Sequence, residues 1–594
     1  MTEYFEVHER DGAARLGELR LSESVTTPAL VTDVDDETAG GRAQPILEDA
    51  GSLWPEERDV PAGSEDRLTV LPHRSFPPGT ADEVAETFAV DYPEVDYPNA
   101  VVVSTATATD HGADVYLLSD ARGAVGHGRA LRETIVSVRE AIPDDAALAF
   151  PGVATPANVA TLAYAGVDLF DPHLAVVRGT QGRYLTTDGE TRVEDLDELP
   201  CACPACRTPL EEFDREDCVT HNLNALAAAI STVRERVRAG RLRDYLEGQA
   251  RHENWCTAAM REFDQEWTYL EERTPLWRTA DMQAASDDVL RRPEIRRFAD
   301  RVTSRYRPRF DDPLVLVPCS AHKPYSESQS HSQFHDAVQY RGHLVSITSP
   351  IGVVPQELET TYPAQHYDAV VTGHWTETEI EFVAEVLGRY LDRADYSRIV
   401  AHVPGDYRPI VERATADREV PVEYTVEDHP TTEDSLSNLS AALQGELKYG
   451  KRERQHNTIR AIADYQFGEG AGDVLFDDLS IQSRYPKLRA HDADGEQLAA
   501  MVPSYGTLSL TLAGARRWAE RDVPTKRVGI DAFVPHGSVL APGVVDASEG
   551  IRAGDEVVIE GPDAFAVGRA RMHGRAMVES TRGVACDVRH VEET

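Results

Sequence analysis

The chain has 594 residues, 60 of them Lys or Arg and 102 Asp or Glu, giving a formal charge of −42. Hydrophobic residues make up 41 %, enough to bury cores in the roughly three to five domains that this length implies, so a disordered acidic tail is excluded. No run of about 18 apolar residues occurs, and the start, MTEYFEVHERDG, lacks the basic and apolar regions of a signal peptide. A cytoplasmic protein without a membrane helix is expected. Residues 1–275 alternate short β-branched runs (99–108, 113–120, 146–154) with amphipathic stretches (129–142, 155–166). Such alternation predicts parallel strands with crossover helices, as a (β/α) barrel or a doubly wound sheet. A long helical region is expected over about 221–275, then a polar, Arg-rich connection with a short helix over 276–310. A second α/β unit begins with the strand 312–320 and runs to about 430. Residues 426–440 read as a linker. A small α+β segment follows over 441–520. The final 70 or so residues, 524–594, are short strands and turns that predict a β-barrel. No internal repeat is apparent.

Only five basic residues are lysine: Lys323, Lys448, Lys451, Lys487 and Lys526. Acidic excess with scarce lysine fits a surface adapted to molar salt, a halophilic composition. That medium screens charge within about 3 Å. The charge of −42 therefore does not exclude nucleic acid. Residues 448–460 carry Lys448, Lys451, Arg452, Arg454 and Arg460 against Glu453, and form a candidate phosphate track.

Four of the seven cysteines fall within eighteen residues. Cys201, Cys203 and Cys206, followed by His221, offer three thiolates and an imidazole. That donor set suits tetrahedral Zn²⁺ in a closed, structural site. Cys218 is the alternative fourth ligand. A second cluster, 318–331, reads Pro-Cys-Ser-Ala-His-Lys-Pro-Tyr-Ser-Glu-Ser-Gln-Ser-His and follows a buried strand. Loops after strands are where α/β sheets place ligands. Cys319 beside Lys323 could act as a nucleophile. A polar turn holding a buried thiol is the structural alternative. Gly373, His374 and Trp375 follow another strand and are candidates to line the same pocket.

These motifs resemble known families. The Cys cluster with His221-Asn222-Leu223, the opening 5–19, and the segment Gly166-Val167-Asp168-Leu169-Phe170-Asp171 resemble tRNA-guanine transglycosylases of the archaeal type. The resemblance implies a transglycosylase-like (β/α)8 barrel with a zinc subdomain, and places the ribose nucleophile at Asp171. The Asp-Ser-Gly-Gly-Phe-Gln motif of those enzymes is missing, which puts base exchange in doubt. Pro318, Cys319, Lys323, Pro324, Tyr325, Ser328 and His331 match the pattern of the archaeosine synthase family. That resemblance implies action on 7-cyano-7-deazaguanine (preQ0) already placed in the D-loop of tRNA. Its nitrile becomes an amidine by addition of lysine or another nitrogen donor, and a radical-SAM partner then cleaves the adduct. Cys319 would form a thioimidate with His331 or Tyr325 as proton donor, or Asp171 would deprotonate the incoming ammonium. Segments 537–544, 554–557 and 566–570 resemble a PUA domain, an RNA-binding module, with Gly543 and Arg569 at its RNA-facing positions.

The expected protein is thus a multidomain α/β tRNA-modifying transferase. Its domains are 1–275 (barrel with zinc site), 276–430 (middle α/β domain), 441–520 (small α+β domain) and 524–594 (PUA). A homodimer is admitted by the sequence but not required by it. Two other readings stand: a transglycosylase inserting preQ0, and a non-catalytic tRNA-binding protein.

Overall fold

The structure, a computed structural model, describes residues 3–33, 42–310, 313–370 and 374–594. Two compact units emerge. One comprises Met1–Pro275, Val539–Val545 and Met572–Ala585; the other comprises Leu276–Ser538, Asp546–Arg571 and Cys586–Thr594.

In the first unit, seven parallel strands form one sheet. Their spatial order is Ala29–Leu30, Leu169–Phe170, Ala147–Phe150, Val115–Leu118, Asn99–Val103, Leu68–Val70, Leu47–Asp49. The edges meet: Val31 bridges Gln44 in parallel, and the Leu47 N–H donates to the Thr32 carbonyl at 3.0 Å. The sheet therefore curls toward closure, as a barrel requires. Seven strands are described rather than eight. After Leu169–Phe170 the chain turns into the helix His173–Thr180 and an antiparallel hairpin, Arg183–Thr186 with Gly189–Arg192. Central strands such as Ala147–Phe150 are buried throughout. Both faces are covered, which is why their sequences are runs of apolar residues without alternation.

The segment 166–171 separates two acids with different tasks. Gly166 ends the helix Val159–Ala165 at φ +112°, and a Cβ there would meet the Tyr269 hydroxyl at 2.8 Å. Asp168, just before the strand, is fully buried and accepts from Arg15 at 2.5 and 3.1 Å and from the Leu148 N–H at 2.8 Å. Losing one partner of such a buried pair costs about 3–5 kcal/mol. Asp171, just after the strand, opens on a cavity instead.

The expected long helical region divides into four helices: Arg215–Arg238, Leu242–Gln249, Asn254–Phe263 and Trp267–Arg273. The first break falls at Gly240, whose φ is +64°. The C-terminal segments of this unit dock on the 144–145 turn. His573 lies 3.4 Å from Asp144 and 3.3 Å from Glu272, and the Thr581 N–H donates to Asp145 at 2.7 Å.

In the second unit, five strands are ordered Gly352–Pro355, His343–Thr348, Leu314–Pro318, Ile399–Ala401, Val422–Tyr424. All pairs are parallel except the first. The chain steps outward from Leu314–Pro318 in one direction, then returns to its other side with Ile399–Ala401. That reversal creates a crevice at the carboxyl ends of these two strands.

The short helix expected in 276–310 is present, and both expected connections contribute residues to the core. Residues 276–310 contain the strand Met282–Ala284 and the helix Pro293–Ser304, which buries Ile295, Phe298 and Val302. The supposed linker 426–440 contains most of the helix Glu433–Ala442, capped by Thr432. Leu439 and Leu443 are fully buried beside Val315, Val317 and Phe334, with Leu436 packed alongside. Leucines at positions 436, 439 and 443 have helical spacing, but their polar surroundings masked it.

The α+β segment is the helix Lys451–Phe467, a four-stranded antiparallel sheet and the helix Leu512–Glu520. In the last domain, Glu556–Gly561 pairs with Ala564–Ala570 antiparallel and with Arg527–Ile530 in parallel, and Ala564–Ala570 pairs antiparallel with residues 586–593. Among the described residues, no helix is long and apolar enough to cross a membrane.

Candidate active site and metal centre

Cys201, Cys203, Cys206 and His221 converge, with all four ligand atoms within 4.8 Å of one another. The thiols come from a loop around the short turn Ala205–Arg207. His221 comes from the second turn of Arg215–Arg238, whose start is fixed by a capping box between Asp214 and Asp217. The His221 Nε2–H donates to the Leu185 carbonyl at 2.9 Å. Its Nδ1 lone pair is therefore aimed at the sulfurs, 3.2 Å from Cys206 and 3.7 Å from Cys203. Such an outer hydrogen bond orients a metal-binding imidazole. The ring stacks on Tyr184 at 3.6 Å. Burial pushes the Cys206 thiol up to about 12, so clustered thiolates call for a cation. The residues present fit a tetrahedral metal site. Cys218 lies apart, its thiol donating to the Arg183 carbonyl at 3.3 Å.

Asp171 lines a cavity of about 330 Å³ at the carboxyl ends of the barrel strands, with Asp49, His73, Ser119, Arg122 and His173. One carboxylate oxygen accepts from the Gly152 N–H at 2.5 Å, the other from the His173 N–H at 2.9 Å. The His173 ring sits 3.0 Å from that second oxygen, and this contact raises the imidazole pKa. Barrel active sites occupy this face.

Cys319 directly follows Leu314–Pro318, and Asp406 and Tyr407 follow Ile399–Ala401. They meet at the crevice made by the strand reversal. A cavity of about 300 Å³ opens there, lined among others by Asp287, Cys319, Trp375, Glu379, Asp406 and Tyr407. The Cys319 sulfur lies 3.7 Å from the Tyr407 hydroxyl. Trp375 packs edge-on against the Tyr407 ring at 4.7 Å. His374 also lines the cavity; Gly373 lies outside the described residues. Lys323 sits with its ammonium 3.9 Å over the Tyr367 ring. Burial lowers its pKa, while Cys319, Asp368 and Asp281 act in the opposite sense. Asp406 and Tyr407 were not singled out from sequence. The Pro-Gly-Asp-Tyr turn after a strand was their available signal.

The remaining motif residues shape the loop. The Ser328 hydroxyl accepts from the His331 N–H at 3.2 Å and caps the helix Gln329–Val338. The His331 Nε2–H donates to the Pro318 carbonyl at 3.0 Å, and its ring stacks on Tyr325. The Tyr325 hydroxyl is bound to that of Tyr367 at 2.7 Å. None of the three lines the cavity. From outside the motif, buried Glu359 accepts from the Ser326 N–H at 2.8 Å and from the Tyr485 hydroxyl at 2.6 Å.

Burial pushes the His331 imidazole from its ordinary 6.5 down to about 4. Between those values the unfolded chain binds a proton that the folded chain refuses. Stability present above pH 6.5 is thus lost as pH falls through this window. The loss should reach about 3 kcal/mol. His331→Gln, which keeps a donor for Pro318, should flatten the decline in urea unfolding between pH 7 and pH 4.5.

Comparison with known proteins then decides the family. Residues 97–254 match the family model described as queuine tRNA-ribosyltransferase, and residues 295–443 match a domain of unknown function, DUF5591. Residues 457–524 match the patch-forming C2 domain of tRNA-guanine transglycosylase, and 527–591 a PUA domain. A Haloferax volcanii protein described as archaeosine synthase is 62 % identical over the full length of both chains. The archaeosine synthase subunit alpha of Methanosarcina acetivorans is 40 % identical, again over both full lengths. This chain belongs to the archaeosine synthase family. A tRNA-guanine(15) transglycosylase of Methanothermobacter thermautotrophicus is 28 % identical over 78 % of this chain and 68 % of that one. The archaeosine synthase family is thus related to the transglycosylases, and the nucleic-acid partner of its PUA and transglycosylase modules is tRNA.

The basic residues of this chain divide by environment. Lys451 and Arg452, at the start of Lys451–Phe467, are exposed, as is Lys448 just before it. Lys448 donates to Gln339 at 2.9 Å. Arg454 lies 3.5 Å over the Tyr340 ring and donates to the Tyr449 carbonyl at 2.6 Å. Arg569 donates to the Tyr505 hydroxyl and stands beside the stacked rings of Trp277 and Tyr505. Gly543 closes the short turn Ala541–Gly543 in the first unit.

Proposed function

We propose that this chain converts the nitrile of preQ0 in tRNA toward an amidine by adding lysine, and that a radical-SAM enzyme then cleaves the adduct. The observation that carries the reading is Cys319 at the reversal of the sheet, facing a cavity with Tyr407 and near the Lys323 ammonium. A free amine attacks a nitrile slowly. A thiolate adds to the nitrile carbon first, forming a C–S bond and a thioimidate. The donor amine then forms a C–N bond to that carbon, and the C–S bond breaks to return the thiolate. Lys323 supplies positive charge to a sulfur that must carry negative charge to attack. Tyr325, Ser328 and His331 hold the loop that presents both.

Asp171 in the barrel cavity is the second candidate, as the base that deprotonates the incoming ammonium. Zn²⁺ at Cys201, Cys203, Cys206 and His221 would hold the 201–206 loop and the first long helix together and take no part in the reaction. Lys448, Lys451, Arg452, Arg454, Gly543 and Arg569 are the proposed tRNA contacts, of which Lys448, Lys451 and Arg452 are exposed.

The test is mass spectrometry of nitrile-bearing tRNA incubated with the protein and lysine in molar salt. A gain of one lysine is expected. An unchanged tRNA mass would overturn the reading, and release of guanine from unmodified tRNA incubated with free preQ0 would establish base exchange instead.

A further inference from the structure

We propose that Tyr407 is the proton donor of this site, delivering its phenolic hydrogen to the nitrile nitrogen as the Cys319 sulfur bonds to the nitrile carbon. The inference rests on the reading of Cys319 as nucleophile and adds a catalytic residue to it.

Addition of a thiolate to a nitrile places negative charge on nitrogen. A donor must therefore stand within reach of both the sulfur and the cavity. Tyr325, Tyr367 and His331 do not line the cavity, and their polar hydrogens are already engaged. The Tyr325 hydroxyl is bound to Tyr367, and the Tyr367 hydroxyl is shared with Tyr325 and Thr348 at 2.7 and 2.9 Å. The His331 Nε2–H is spent on the Pro318 carbonyl. Tyr407 meets both conditions: it lines the cavity, and its hydroxyl stands 3.7 Å from the sulfur. Its ring is held by Trp375. Burial, with the neighbouring Cys319 sulfur, raises the phenol pKa, so the proton stays on oxygen until charge develops beside it.

The cycle balances. The sulfur–carbon bond forms, one carbon–nitrogen π bond breaks, and nitrogen takes the proton, leaving tyrosinate. The amine then adds to the thioimidate carbon, its surplus proton returns to the Tyr407 oxygen, and the carbon–sulfur bond breaks with the electron pair on sulfur. Nitrile and primary amine have become amidine, with both side chains restored.

The experiment uses the full chain, nitrile-bearing tRNA and lysine in molar salt, with Tyr407→Phe, Cys319→Ser and Trp375→Leu as variants. Removing a general acid lowers turnover by about 100-fold or more. Tyr407→Phe should therefore lose kcat by that factor, with KM for lysine and tRNA affinity unchanged. Turnover within twofold of the unaltered chain, alongside an inactive Cys319→Ser, overturns the proposal and leaves the thiol reading intact. Full activity in Cys319→Ser instead removes the reading beneath it. Phenylalanine keeps the ring that packs on Trp375, whereas Trp375→Leu disturbs that packing and keeps the phenol. Equal kcat losses in those two variants would assign Tyr407 to packing and also overturn the proposal.

Discussion

Cys319→Ser should abolish lysine addition to nitrile-bearing tRNA while leaving tRNA binding intact. The hydroxyl keeps nearly the size of the thiol and its place in the cavity wall, so the loop 319–328 should keep its shape. A serine hydroxyl is a far poorer nucleophile at neutral pH, and the motif imidazole of His331 is buried and bound to the Pro318 carbonyl. Loss of a nucleophile lowers turnover by about three orders of magnitude or more. The check is adduct formed per minute by mass spectrometry, with a gel shift in parallel for affinity. If the serine variant still formed adduct at the full rate, the thioimidate route would be wrong, and Asp171 would become the place to look.

The second large effect is expected at the cysteine cluster. Metal analysis of the purified chain should find one Zn²⁺, and Cys206→Ser or His221→Ala should lose it. Structural zinc contributes about 10–16 kcal/mol of apparent binding energy in small domains. Here the ion would join the 201–206 loop to a helix whose Leu223, Leu226 and Ile230 belong to the core of the first unit. Chelation at pH 7 should therefore lower the melting transition of the whole chain, and added Zn²⁺ should restore it. Cys218→Ser, by contrast, should retain the metal, because that thiol faces the Arg183 carbonyl. A chain that melts unchanged without metal would mean that the four ligands are only packed neighbours.

Much of this site was legible in the sequence because its parts are short-range. The three cysteines are nearly adjacent, so their spacing alone confined them to one loop. The run 318–331 follows a strand of buried residues, and ligands gather at strand ends in α/β sheets. Asp168 and Asp171 were less separable. Three residues apart in one motif, they differ only in which side of a short strand they occupy; Arg15, remote in sequence, claims one and leaves the other to the cavity. The helix Glu433–Ala442 was missed for a related reason. Its few leucines are covered by the Val315 face of the sheet, a partner more than a hundred residues away.

The acidic balance, the scarce lysines, the cysteine cluster and the family motifs were determined by sequence alone, since each depends on residue type and local spacing. The tertiary structure decided how the motif divides its labour. Tyr325, Ser328 and His331 turned inward to hold the loop. Tyr407, eighty-eight positions beyond Cys319, arrived beside the sulfur. A hydrogen bond or a proton transfer needs atoms within a few ångströms. Here that proximity is set by the order of strands in the sheet, which local spacing does not encode.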